Sequence, residues 1–201
     1  ATSIGSSADR PGALADLMGI LVNDGLKLQT VRVEKLHFAA GTPFETEMSL
    51  APRAPERVLS PEIAATARRA LIDVAENGTA KRVRGAFMAP NGGPLPVGGK
   101  TGTGDHRYGE RVVARTATFV FFVGDRFFGT VTAHVRGPEA ARYRFTSALP
   151  AQLLKSLAPT LQPLIERSLT QTVERTPTQV PPAAVAAPSA GPGGLVVPAA
   201  V

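Results

Sequence analysis

The chain has 201 residues, of which 43% are hydrophobic and 19% charged, with a net charge of +6 from 22 basic and 16 acidic residues. This apolar content supports a packed core and excludes wholesale disorder. The absence of cysteine excludes a disulfide scaffold, a thiolate metal site and a cysteine nucleophile.

In chain order, residues 11–23 read as a helix. Leu14, Leu17, Met18 and Leu21 recur at helical spacing, Pro11 suits a first helical position, and Gly25 suits a stop just past the end. Residues 31–38 read as a strand with a bulge near Glu34, where the apolar alternation slips out of phase. Residues 60–76 read as a second helix, capped by Ser60, opened by Pro61 and closed by Asn77-Gly78. Its predicted buried stripe is Ile63, Ala67, Leu71 and Val74.

Residues 115–123 and 127–135 read as two strands joined by Gly124-Asp125-Arg126, a hairpin signature. The run Phe119-Val120-Phe121-Phe122-Val123 does not alternate with polar residues, so the sheet is expected to be covered on both faces, with Phe128 and Val131 also inside. From Thr146 onward, Leu149, Leu153, Leu154, Leu157 and Leu161 predict an amphipathic helix, with bends expected at Pro159 and Pro163.

Residues 176–201 carry no charge and hold six prolines, three glycines and seven alanines. They predict a flexible tail, because proline removes amide donors and fixes its own torsion. The expected organisation is therefore a domain over 1–170 and a tail over 171–201. The fold class is α+β, with an antiparallel sheet flanked by helices.

Composition and residue spacing weigh against several function classes. His37, His106 and His134 are the only histidines, and no two share a metal-ligand spacing, so no metal site and no cofactor are expected. The basic residues are dispersed, without the interleaved aromatics of a base-stacking platform, so nucleic acid is not an expected partner. No apolar run approaches the roughly 18 residues of a membrane span. Asp105 and His106 read as a solvated loop, and Glu45 and Glu47 as surface charge.

The informative stretch is Gly98-Gly99-Lys100-Thr101-Gly102-Thr103-Gly104. On an extended strand, residues two apart point the same way, so Thr101 and Thr103 present their hydroxyls to one face. The glycines are expected to let a ligand approach the backbone. Hydroxyl donors, main-chain N–H groups and an ammonium together suit a carboxylate. A phosphate-binding loop is a poor fit. Its first glycine would have to stand at Pro94, and Gly93 is one residue out of register.

Lys100-Thr101-Gly102 resembles the third signature of the penicillin-binding proteins and serine β-lactamases. The surrounding order agrees: Asn23-Asp24-Gly25, then Ser60-Pro61 opening a helix, then Glu76-Asn77-Gly78-Thr79-Ala80, then Gly98 to Thr103, then the strands at 115–123 and 127–135. Residues 1–168 thereby resemble the C-terminal part of the transpeptidase domain of a multimodular penicillin-binding protein.

The resemblance implies a D,D-transpeptidase, with D-alanyl-D-alanine stem peptides and β-lactams as partners, acting on the extracytoplasmic face of a cell membrane to which a longer parent is anchored. It implies Lys100 and Thr103 as catalytic residues: Lys100 keeps the site electropositive and helps to activate the serine, and the Thr103 N–H completes an oxyanion hole. It implies Thr101, Gly102 and Thr103 as the substrate-binding residues.

The family's other two signatures, Ser-x-x-Lys and Ser-x-Asn, are absent. No serine has Lys three residues later, and the residues two before Asn23, Asn77 and Asn91 are Leu21, Ala75 and Ala89. With Ala at position 1, this predicts a C-terminal fragment that is inactive alone. The alternative is a non-catalytic cell-envelope module that holds wall polymer on its basic surface.

Overall fold

A computed structural model describes residues 10–33, 35–51 and 53–170. The bulge expected at Glu34 and the tail expected over 171–201 lie outside the described residues. Helix α1 spans Pro11–Val22. It stops where Asp24 and Gly25 take positive φ, and the Gly25 N–H closes on the Ile20 carbonyl at 2.8 Å. Gly25 has no room for a side chain, because a Cβ would meet the Leu59 carbonyl. The chain then makes strand β1 (Leu26–Lys27), which pairs with β4 (Glu56–Arg57).

Between them, β2 (Lys35–Phe38) and β3 (Thr46–Ser49) form a separate exposed hairpin. The strand predicted over 31–38 is therefore shorter than expected. Among the described residues, 31–33 have no partner strand, since the β2–β3 pairing ends at Lys35 opposite Ser49. Across the hairpin, Lys35 pairs with Glu47 and His37 with Glu45. The Glu45 carboxyl is held below its ordinary range by the Gly41 N–H and by His37.

Helix α2 spans Pro61–Glu76. The Ser60 hydroxyl accepts from the Ile63 N–H at 3.4 Å. The Glu62 carboxyl is likewise lowered, first by its own main-chain N–H and then by Ser60. The buried residues of α2 are Ala64 and Ala75, whereas Ile63, expected inside, is 57% exposed. The helix presents small side chains inward; Ala64 meets Val120 and Phe122 of the sheet, while Ile63 beside it turns outward. Arg68, midway along α2, ties that helix to the end of α1. Its Nη1 donates to the Leu21 and Val22 carbonyls, left open by the end of α1, and its Nη2 pairs with Asp24 at 2.7 Å.

Strands β5 (Val97–Tyr108), β6 (Arg111–Val123) and β7 (Phe127–Arg136) make an antiparallel sheet in that order. Strands β5 and β6 are longer than the sequence suggested. Asp105 and His106, expected in a loop, sit within the ladder opposite Arg115 and Ala114. The turn is only Gly109-Glu110, and one irregularity falls between His106 and Arg107.

Side chains alternate across β6 as the pleat requires. Phe119, Phe121 and Val123 meet Val83, Phe87 and helix α3 (Ala148–Thr170) through Ala151, Leu154, Ala158 and Ile165. Val120 and Phe122 meet Met18, Leu21 and Val22 of α1 and Ala64 of α2. Both faces are thus covered at β6, the expected reason for its unbroken apolar run. Phe128 departs from expectation. It is 37% exposed, and its ring lies over Gly19 of α1, where a Cβ would stand 2.7 Å from Cζ.

Helix α3 also departs from its predicted stripe. Ala151, Leu154 and Ala158 face the core, while Leu149, Leu153 and Leu157 are exposed. Alanines on the inner line let the helix seat against the phenylalanines of β6, and the larger leucines are left on the outer line. The helix runs on through Pro159 and Pro163 without a break in its span. No helix among the described residues is long and apolar enough to cross a membrane.

Candidate functional site

The Lys100–Thr103 segment lies on β5, an edge strand bonded to β6 on one side only among the described residues. Opposed residues of an antiparallel ladder alternate between pairs that exchange hydrogen bonds and pairs whose main-chain groups point away. Thr101 is of the second kind. The Gly124 N–H bond to the Pro96 carbonyl sets the phase of that alternation, and the Thr101 carbonyl, turned to the open edge, accepts from Lys100 Nζ at 2.6 Å. Thr103, two residues on, turns its own N–H and C=O to the same open edge. The edge therefore carries an ammonium, held over one carbonyl, and beyond it a main-chain donor that is free among the described residues.

The two threonine hydroxyls do lie on one face, the face of α3, but both are engaged. Thr101 is only 7% exposed, and its hydroxyl shares a 2.6 Å hydrogen bond with that of Thr79, in the turn that follows α2. Thr103 is exposed, and its Oγ1 accepts from the Ser147 N–H at 2.8 Å. Ser147 immediately precedes α3.

The glycines divide into two groups. Gly98 and Gly99, expected to let a ligand approach the backbone, do not. Phe122 fills the space beside Gly98, and Phe119 and the Val120 carbonyl fill that beside Gly99, so these two glycines make room for the core. Gly102 and Gly104 have nothing within 4 Å of where a Cβ would stand. The open backbone is confined to Gly102–Gly104, next to Thr103.

Further along β5, Asp105 stands directly opposite Arg115. Arg115 Nη1 reaches Asp105 Oδ1 at 2.8 Å, and its Nε donates to the Phe145 carbonyl at 2.9 Å. Its guanidinium also lies over the Phe145 ring, 5.7 Å from the centroid. The pair is largely covered, at 18% and 25% side-chain exposure.

Sequence reasoning missed Thr79, Arg115 and Ser147 as neighbours of this strand. Arg115 had a readable signal, since a two-residue turn at Gly109-Glu110 places it near Asp105. Ser147 had none, because its position depends on how α3 crosses the sheet. A broad surface groove lies elsewhere, between α1, α2 and the β6–β7 turn, lined by Gly19, Ile72, Phe122 and Phe128. Among the described residues no three His, Cys, Asp or Glu side chains stand together as metal ligands.

No protein-family profile matches this chain, and no curated protein does. Solved structures do. Penicillin-binding protein A from Mycobacterium tuberculosis, as its ceftriaxone acyl-enzyme complex, matches with a TM-score of 0.56 at 24% identity, over 78% of this chain and 33% of that one. Another structure of the same protein matches with 0.53 at 21% identity, over 80% of this chain and 34% of that one. Penicillin-binding protein 3 from that organism, complexed with aztreonam, matches with 0.51 at 19% identity, over 77% and 34%.

The chain is thus an α+β protein whose described part has the fold of a portion of a penicillin-binding protein. It spans about a third of the length of the structures it matches.

Proposed function

We propose that this chain is the Lys-Thr-Gly-bearing portion of a peptidoglycan D,D-transpeptidase domain, acting outside the cytoplasm of a longer, membrane-anchored parent. The observation that carries the reading is the open edge of β5 at Lys100–Thr103, on a sheet with this fold. In the reading, a serine of a Ser-x-x-Lys motif outside these 201 residues attacks the D-alanyl-D-alanine carbonyl of a stem peptide, or a β-lactam ring. An acyl-enzyme forms, D-alanine leaves, and an amine from a second stem peptide completes the cross-link.

Lys100 supplies positive charge and favours the deprotonated serine. The Thr103 N–H, pointing off the free edge, is one oxyanion-hole donor; such preorganised donors stabilise charge that develops only in the transition state. Gly102 lets substrate lie against the strand. The Thr103 hydroxyl holds the substrate carboxylate. Thr101 contributes from behind: Thr79 engages its hydroxyl, and its carbonyl keeps the Lys100 ammonium in place.

Intact-mass spectrometry after benzylpenicillin treatment tests this. The 201-residue chain is expected to stay unmodified, and a polypeptide that also carries Ser-x-x-Lys to gain one acyl adduct. In that longer polypeptide, Thr103→Val is expected to slow acylation by about tenfold or more, the scale of losing a hydrogen bond to a charged group. An adduct on the 201-residue chain, or none on the longer one, overturns the proposal. Retention on peptidoglycan without acylation would instead favour the binding module.

A further inference from the structure

Thr103 has a polarity that its residue type does not dictate. A hydroxyl offers one donor and two acceptor sites. Here one acceptor site is taken by the Ser147 N–H, so the hydroxyl hydrogen must point away from Ser147. Among the described residues no acceptor receives it. The hydroxyl therefore meets the open edge as a donor, the polarity that an anionic group requires. What fixes Ser147 there is not on β5. Ser147 lies two residues beyond Phe145, and Phe145 is held by its carbonyl and by its ring, both on Arg115. Arg115 is in turn anchored to β5 through Asp105, two residues beyond Thr103.

We infer that Arg115 is a positioning residue: it clamps the 145–147 segment against β5, so that the Ser147 N–H holds the Thr103 hydroxyl as a fixed donor toward a carboxylate-bearing substrate. The clamp closes a loop of contacts: Thr103 to Ser147, along the chain to Phe145, to Arg115, to Asp105 and back along β5. Its role toward a carboxylate rests on the transpeptidase reading; the clamp itself does not.

Two measurements separate these levels. In the 201-residue chain, amide hydrogen exchange followed by NMR reads the clamp without any chemistry. The Ser147 amide is expected to exchange about tenfold faster or more in Arg115→Met and in Thr103→Val, while the Phe121 amide at the centre of β6 keeps its protection. Arg115→Lys guards against misfolding. It keeps a charge for Asp105 but cannot make the two-sided contact, and it is expected to free Ser147 partly. Unchanged Ser147 exchange in both Arg115 variants overturns the clamp.

In a polypeptide that carries Ser-x-x-Lys, Arg115→Met is expected to slow acylation by benzylpenicillin about tenfold, but acylation by its methyl ester less than about twofold, because the ester lacks the charge that the donor serves. Equal slowing of both compounds would mean general destabilisation and overturn the assigned role. Absence of acylation in the unsubstituted polypeptide would sink the transpeptidase reading instead, leaving the exchange result to decide the clamp.

Discussion

Adding one methyl group at Gly99 tests whether the glycines of β5 make room for the core or for a ligand. An ideal Cβ at Gly99 would stand 2.7 and 2.9 Å from Phe119 Cε2 and Cζ and would overlap the Val120 carbonyl oxygen. Ordinary carbon contacts settle near 3.5–4.0 Å, so the ring must retreat by about an ångström. The Phe119 ring is fully buried against α3, and the Val120 oxygen is backbone; neither can swing into solvent. Overpacking of this kind costs about 1–3 kcal/mol, and the clash with backbone places Gly99→Ala at the top of that range. For a domain of this size, about 3 kcal/mol lowers Tm by roughly 6–12 °C.

Gly102→Ala is the paired control. Nothing lies within 4 Å of its Cβ position, so the gain from a stiffer unfolded chain, about 0.4–1 kcal/mol, is unopposed. Urea and thermal denaturation of the two variants should therefore move in opposite directions. Equal destabilisation of both, or a tolerated Gly99→Ala, would refute the division of the glycines into core-side and open-side groups.

Other perturbations read other contacts. Phe121→Ala is expected to cost about 3–5 kcal/mol in urea denaturation, because the ring is buried and stacks 5.9 Å from Phe119; a loss within noise would place it outside the core. Arg68→Ala is expected to cost about 1–3 kcal/mol, since it strips the last carbonyls of α1 of their donor, and faster amide exchange at the end of α1 should accompany it. Ser60→Ala is expected to cost about 1 kcal/mol through loss of the α2 cap, measured by thermal melting. The Glu62 carboxyl is lowered in the folded state, so its contribution is full above its ordinary value of 4.5 and falls away as pH drops through the lowered folded value; Glu62→Gln should flatten that acid limb in a stability–pH series.

Local signals in the sequence sufficed for much of the scaffold. Ser60-Pro61 opens α2 and Asn23-Asp24-Gly25 ends α1, because caps and stops depend on torsions and hydrogen bonds within a few residues. The apolar run of β6 foretold a sheet covered on both faces, because burial on both sides removes the need to alternate. Lys100-Thr101-Gly102-Thr103 was legible for the same reason, as chemistry gathered in consecutive residues.

What the sequence left open depends on register and crossing geometry between distant segments. Gly98 and Gly102 look alike in the chain; only the ring of Phe122 across the ladder makes one glycine obligatory, while the other is left exposed. Leu149, Leu153, Leu154 and Leu157 look alike on α3. The rotation of the helix against β6 buries Leu154 and turns the others outward. The hydroxyls of Thr101 and Thr103 look equivalent, until α2 and α3 bring Thr79 to one and Ser147 to the other. Each of these choices is made by a contact between residues 20 or more positions apart. A linear pattern carries propensities for helix, strand and turn, but which partner arrives is decided only when the layers pack.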